Sequence, residues 1–222
     1  MKGTHLTKYL VFDTETNGKR PKGRNNPLTS EPALVQIAAV LFDDDRRPVG
    51  HVSCFMQPLD GQGKPAEIPT EKFFLDSGIT QDVVDRCGTT YQVGLGMFNN
   101  LVKRADAIVA HNMQFDDPII RAAYSRIAAP QQVYWDTKKL CTMKTLEPIL
   151  KLPGKYGFKF PTLDESYRAL VDPTGFEGAH DAMVDVQACA EVLWAIEDKI
   201  AEGDERFEGH SLWQLPENWP KG

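Results

Sequence analysis

Two carboxylates stand two residues apart in the stretch VFDTETNG, residues 11–18. Asp13 and Glu15 close an apolar run, Tyr9–Phe12, that reads as a buried strand. On a strand, residues i and i+2 leave the same face. Two acids side by side at a buried strand end cost free energy unless something positive lies between them. A hard divalent cation meets that need; the competing reading is a solvated strand end opening a turn, since Asp, Thr, Asn and Gly all favour turns. A second acidic stretch, AHNMQFDDP, puts His111 and Asn112 at the end of an apolar strand and Asp116 and Asp117 at the opening of a helix. Ordinary N-capping is the alternative there. In the third stretch, GAHDAMVDVQA, His180 and Asp185 are five residues apart. On one helix that spacing is about 140° of rotation, so the two would not share a face. The spacing places His180 on the loop or first turn and Asp185 inside the helix. An acid flanked by Val184 and Val186 in the apolar part of a long helix needs a reason, unless it lies on the polar face.

The elements that would position these groups follow from periodicity and turn chemistry. Tyr9–Phe12, Ala33–Phe42 and Val49–Gln57 read as three strands of a meander, the last two joined by the acidic turn DDDRRP. After the Pro- and Gly-rich stretch PLDGQGKPAEIP the pattern turns mainly helical. Thr80 is a plausible N-cap for QDVVDRC. TYQVGLGMFNNLVKRA, DDPIIRAAYSRI, KKLCTMKTLEPIL, TLDESYRALV and AHDAMVDVQACAEVLWAIEDKIA read as further helices, with Pro118 in the tolerated first turn of the second. DAIVAHN and QVYWDT read as short strands. Three strands followed by helices alternating with two short strands predict an α/β fold with a five-stranded mixed sheet flanked by helices. Residues 1–200 form the expected domain. Residues 201–222, with Trp213 and Trp219, lose periodicity and read as a tail that packs back or docks elsewhere.

Taken in order, strand D-x-E, then strand–H-N-x-x-F-D–helix, then H-x-x-x-x-D–helix, the three stretches resemble the DEDDh (DnaQ-like) 3′→5′ exonucleases. That group includes the proofreading subunit of bacterial replicative polymerases, exonuclease X and oligoribonuclease. The resemblance covers nearly all of residues 7–200; PALVQIAAV and DSGIT agree with the flanking elements. The sister branch with Tyr four residues before the last acid is disfavoured, because that position is Asp181. The long basic loop from Lys19 to Pro32, the segment LKLPGKYGFKFP and the C-terminal extension depart from the simplest members.

The resemblance implies a ribonuclease-H-like fold and metal-dependent phosphodiester hydrolysis releasing nucleoside 5′-monophosphates. It implies two Mg²⁺, replaceable by Mn²⁺, held by Asp13, Glu15, Asp116 and Asp185, with His180 as the general base for the attacking water. An imidazole, with its ordinary pKa near 6.5, suits that role. Thr14, Thr16, Asn17 and Gly18 lie where family members pass the terminal nucleotide, and His111, Asn112 and Phe115 join them as candidate substrate contacts. Satisfaction of strand-end backbone groups competes for His111 and Asn112, and core packing for Phe115. DNA is favoured over RNA by likeness to the proofreading and exonuclease X members. An exoribonuclease, or a non-catalytic nucleic-acid-binding or polymerase-docking module, is the alternative. A polymerase or another replication or repair protein is a possible partner.

Composition bounds these readings. The 222 residues carry a net charge of -6, which by itself argues against a polyanion binder. Distribution argues the other way. Lys19, Arg20, Lys22 and Arg24 stand together without an acid, and Lys138, Lys139, Lys144, Lys151, Lys155 and Lys159 stand against Glu147 alone. Both segments are candidate phosphate tracks; solvated loops and helix faces are the alternative. Lys155, Tyr156, Phe158 and Lys159 interleave charge and aromatic groups as single-strand binders do, although core packing accounts for the aromatics as well. No apolar run is long enough to span a membrane. The N-terminus lacks the run of a signal peptide. The scattered Cys54, Cys87, Cys141 and Cys189 fit free thiols in a cytoplasmic protein.

Overall fold

The computed structural model describes residues 7–23, 26–130, 132–179 and 181–216, without the side chains of residues 73 and 76. In chain order, β1 (Tyr9–Thr16) leads through a 3₁₀ turn at Leu28–Ser30 to β2 (Leu34–Phe42) and β3 (Pro48–Phe55). Helices α1 (Lys72–Asp76), α2 (Gln81–Cys87) and α3 (Tyr91–Val102) precede β4 (Ala107–Ala110). Then come α4 (Met113–Arg126), α5 (Gln132–Asp136), β5 (Lys138–Cys141) and α6 (Thr142–Leu150). A small hairpin, β6 (Pro153–Gly154) and β7 (Gly157–Phe158), leads to α7 (Leu163–Leu170) and the long α8 (Ala182–Glu202). A 3₁₀ turn at Glu205–Phe207 and β8 (Trp213–Gln214) complete the described chain.

The main sheet runs β3-β2-β1-β4-β5-β8. Strands β3, β2 and β1 form the expected antiparallel meander, while β4 and β5 lie parallel to β1. The five expected positions are filled, and β8 adds a sixth, antiparallel to β5. The tail packs back at this edge: Leu215 N–H donates to the Lys139 carbonyl at 2.9 Å, and Trp213 N–H to Thr145 Oγ1 at 2.8 Å. Trp219 lies outside the described residues.

Strand parity sorts the core into two layers. Leu10 and Phe12 of β1 join Phe98, Ile119, Ile120 and Tyr134 on one face. Val11, between them in sequence, joins Ala182, Val186, Cys189 and Leu193 of α8 on the other. Each of these side chains is nearly or wholly buried, a gain of roughly 1.5–3 kcal/mol for the larger ones. Helix α8 therefore covers one face of β1, and α3 and α4 the opposite face. No helix among the described residues is long and apolar enough to cross a membrane. All four cysteines are free.

Three sequence expectations are corrected. QVYWDT is not a strand: α5 occupies it, with the Gln132 amide donating to Asp136 four residues on, and the strand is the following KKLC. Lys139 is buried there, its Nζ donating to the carbonyls of Tyr134 (2.6 Å) and Thr137 (3.1 Å) and lying 4.4 Å from the Tyr134 ring centre. It is therefore no part of a phosphate track. Helix α4 begins at Met113, so Pro118 falls in its second turn rather than its first. Proline removes the N–H that would satisfy the carbonyl four residues back. Arg20 supplies the missing donor, its Nη1 donating to the Gln114 carbonyl at 2.7 Å.

Candidate active site

The end of β1 overhangs its parallel neighbour. β4 pairs with Tyr9, Leu10 and Val11 only, so Asp13 and Glu15 lie beyond the last paired residue on that side. This is the carboxyl end of parallel strands, where open α/β sheets place their sites. Parity then decides what each residue of the D-T-E run faces. Asp13 and Glu15 share the face of Val11, toward α8; Thr14 shares that of Phe12, toward α4.

Helix α8 brings Asp185 to this place. Asp181 caps the helix, its carboxylate accepting from Met183 N–H at 2.9 Å and Val184 N–H at 3.3 Å. Asp185 thus stands in the first turn, one residue before the buried Val186. Asp13, Glu15 and Asp185 are partly buried, each with a potential ligand atom within 4.8 Å of the others'. Asp116 stands outside that tight group and is almost wholly buried. It is not the N-cap of α4, which is Asn112; it lies in the first turn, where Thr14 Oγ1 donates to its Oδ1 at 2.7 Å. The middle residue of the first motif therefore holds the acid of the second. Asp117 turns away from the site: its carboxylate pairs with Arg121 at 2.8 Å and accepts from the Tyr134 hydroxyl at 3.1 Å.

Burial and mutual repulsion make these acids hard to ionise. Asp13 is raised well above the ordinary carboxylate range, first by burial and then by the charges of Asp116, Glu15 and Asp185. Glu15 is pushed up to about 8 by burial, with Asp185 and Asp116 adding to it. Burial also lifts Asp116 to about 7, against the lowering effect of the Thr14 hydrogen bonds. An all-oxygen set of this kind fits a hard divalent cation, whose charge would remove the repulsion.

A stability test follows. Groups whose folded pKa lies above the unfolded value hold more protons folded than unfolded, so stability falls as pH rises through that window. For Glu15 and Asp116 the window opens near their ordinary values of 4.5 and 3.8 and closes near 8 and 7. With chelator present, the thermal midpoint is expected to fall as pH is raised from about 5 to 8, through a loss on the order of a few kcal/mol. Saturating divalent cation is expected to flatten that fall. A chelated protein equally stable across this range would show that the acids do not repel one another.

The remaining sequence candidates divide into two groups. Glu15, Thr16, Asn17, Gly18 and Phe115 line one cleft of about 860 Å³ beside the acids. A Cβ added at Gly18 would meet only Pro32, at 3.9 Å, so packing does not demand glycine there. The Asn17 side chain is engaged within the protein, accepting from Ala33 N–H at 2.7 Å and donating to the Glu67 carbonyl at 3.1 Å. His111 is likewise engaged at both ring nitrogens, 2.9 Å from Thr142 Oγ1 and 3.1 Å from the Pro161 carbonyl. Burial lowers its pKa to about 4, so the ring is neutral, with Nε2–H donating to Pro161 and Nδ1 accepting from Thr142. Asn112 makes no side-chain cap bond to α4. His180 lies outside the described residues.

Sequence reasoning missed Pro69, Glu71 and Phe74, which form the far wall of the cleft. They lie at the end of the Pro-rich connection and just beyond it and carry no motif, so nothing in the pattern marks them. It also misjudged Arg20. That guanidinium is held by both oxygens of buried Glu31 at 2.6 Å, so it is balanced locally, leaving Lys19 and Lys22 as the exposed cations of the described loop. Arg24 lies outside the described residues.

A family model described as an exonuclease (RNase_T) matches residues 10–193. No curated protein is significantly similar in sequence. Among solved structures, the chain is similar to E. coli Exonuclease I in complex with a dT13 oligonucleotide, with TM-score 0.68 and 18% identity over 90% of this chain and 43% of that one. The same enzyme with a dA16 oligonucleotide gives TM-score 0.65 and 21% identity, over 91% and 43%. The chain thus spans less than half the length of Exonuclease I. The nuclease domain of 3′hExo, a DEDDh family member bound to rAMP, is matched with TM-score 0.66 and 15% identity over 96% of this chain and 98% of that one. With the family model matched over most of its length, the chain belongs to the exonuclease family.

Proposed function

We propose that this protein is a metal-dependent 3′→5′ exonuclease that removes nucleoside 5′-monophosphates from single-stranded or frayed DNA. The observation that carries the reading is the convergence of Asp13, Glu15 and Asp185 within 4.8 Å, with Glu15 also lining the cleft and buried Asp116 near enough to raise the pKa of Asp13 and Glu15. Asp13, Glu15, Asp185 and Asp116 would hold two divalent ions, Mg²⁺ or Mn²⁺. Such a pair supplies charge stabilisation and water activation for in-line displacement at phosphorus. The chain's own residues do the rest. Thr14 fixes Asp116 by its hydroxyl, so the second acid is held in place before substrate arrives. The cleft lined by Thr16, Gly18 and Phe115 receives the terminal nucleotide and keeps water from its sugar and base. His180, immediately before the α8 cap, takes the proton of the attacking water.

The exoribonuclease reading has one specific observation in its favour. The rAMP-bound 3′hExo domain is matched over almost its whole length, whereas the oligodeoxynucleotide-bound Exonuclease I is matched over less than half. Digestion of defined single-stranded, duplex and 3′-mismatched ends, in DNA and RNA with Mg²⁺, separates the two. The expected result is stepwise shortening from the 3′ end with 5′-monophosphate product, fastest on single-stranded and mismatched DNA. Faster digestion of RNA would transfer the preference to the second reading. Release from the 5′ end, or turnover unaffected by chelator, would overturn both.

A further inference from the structure

The hairpin β6–β7 is an exposed aromatic and cationic finger. Its two-residue loop, Lys155–Tyr156, lies between Gly154 and Gly157. Gly157 has φ 128°, which only glycine adopts freely. Tyr156 is 90% exposed, Phe158 60% and Phe160 44%, so core packing does not account for these rings. No acid occurs between Glu147 and Asp164, while Lys151, Lys155 and Lys159 do. Lys159 pairs with Glu165 at the base; Lys151 and Lys155 are exposed and form no ion pair among the described residues.

The base of the finger is fastened to the site. His111, which follows β4 just ahead of the helix carrying Asp116, donates to the Pro161 carbonyl. Lys144 of α6 lies 3.8 Å from the centre of the Phe160 ring. Thr162 and Glu165 close a capping box at the start of α7, which fixes the departing chain. Five residue steps lead from Pro161 to Tyr156, so the tip stands at most about 17 Å from this anchor.

We propose that β6–β7 is a stacking platform for single-stranded nucleic acid, holding bases upstream of the terminal nucleotide, a role that rests on the exonuclease reading. Exposed rings interleaved with lysines are what strand-binding surfaces use: base faces stack on the rings and backbone phosphates meet the ammonium groups. A protein partner fits less well, because the centres of protein interfaces are depleted in lysine. Tyr156 is the foremost ring, with Lys155 Nζ 5.0 Å from its centre.

The test is binding of a single-stranded thymidine oligonucleotide of about 12 nucleotides and of a trinucleotide, with Ca²⁺ in place of Mg²⁺. Tyr156→Ala is expected to weaken the longer strand by at least about fivefold, the low end for removal of a base–aromatic stack, with the Tyr156→Phe variant binding as wild type does. The trinucleotide, which offers fewer bases upstream of the terminal nucleotide, is expected to be weakened less. Neutralising Lys151 and Lys155 as glutamine is expected to flatten the log–log salt slope by roughly 0.7 for each phosphate that then goes unneutralised. Equal binding of the longer strand by wild type and Tyr156→Ala would overturn the proposal. So would a change of oligomeric state in that variant by sedimentation, which would make the finger an interface between copies. Mg²⁺-dependent turnover by wild type is the separate control. Its absence would sink the exonuclease reading, while the binding comparison still decides the platform.

Discussion

Asp13→Asn is expected to abolish cleavage while leaving the protein folded and, in chelator, at least as stable as wild type. The substitution keeps shape and removes charge. Asp13 is crowded by like charges, with Asp116, Glu15 and Asp185 all raising its pKa. Whatever neutralises this cluster in the working enzyme must interact strongly with it. Loss of even an outer-shell partner costs about 10–100-fold in metal affinity or activity, so loss of a direct ligand should cost more. Without metal the sign reverses, because one of several mutually repelling carboxylates is gone. The pair of measurements is Mg²⁺-dependent turnover and the thermal midpoint in chelator near pH 8. Near-normal turnover would refute the ligand assignment. Lost turnover with a sharply lowered midpoint would mean that Asp13 matters for packing instead.

His180→Ala should lower turnover by roughly 10²–10⁴-fold, the usual contribution of a positioned general base. Strand affinity measured with Ca²⁺ should barely change, since the role is proton transfer. The pH profile distinguishes this from a structural loss. A protonated imidazole cannot accept a proton, so the wild-type rate should fall as pH drops through the histidine's pKa, ordinarily near 6.5. The variant's residual rate should lack that limb. An acid limb of unchanged position in the variant would assign it to another group, such as the raised Glu15 or Asp116.

The acids were legible because their positions obey simple geometry. A two-residue period puts Asp13 and Glu15 on one strand face, and Asp185 sits where an apolar helix face would otherwise continue. The meander and the presence of two later strands were legible as well, although one of those was assigned to the wrong residues. In KKLC, two lysines hide the strand. Lys139 points inward only because the backbone carbonyls of Tyr134 and Thr137 receive its ammonium group, and no local pattern reveals such a partner. Tyr134 and Trp135 have strand propensity, yet α5 forms, with Tyr134 buried against Phe98 and Tyr124. The basic loop was misjudged for a related reason. Glu31 is eleven residues from Arg20 in sequence and 2.6 Å away in space. The far wall of the cleft, at Pro69, Glu71 and Phe74, was invisible because it is made by proximity alone.

Closure of the sheet edge by β8 has a consequence for how the chain is made. Synthesis proceeds from the N-terminus at about 5–20 residues per second. Strand β5 ends at Cys141, and its outer partner begins only at Trp213. For several seconds the nascent protein would carry a nearly complete sheet whose last strand offers unpaired backbone groups, with the apolar Leu140 and Cys141 beside them. Such an edge invites pairing with another chain. Lys138, exposed at the start of β5, is a charge of the kind that discourages such pairing while the edge is open. Once Trp213 and Leu215 have donated to Thr145 and Lys139, that edge is sealed.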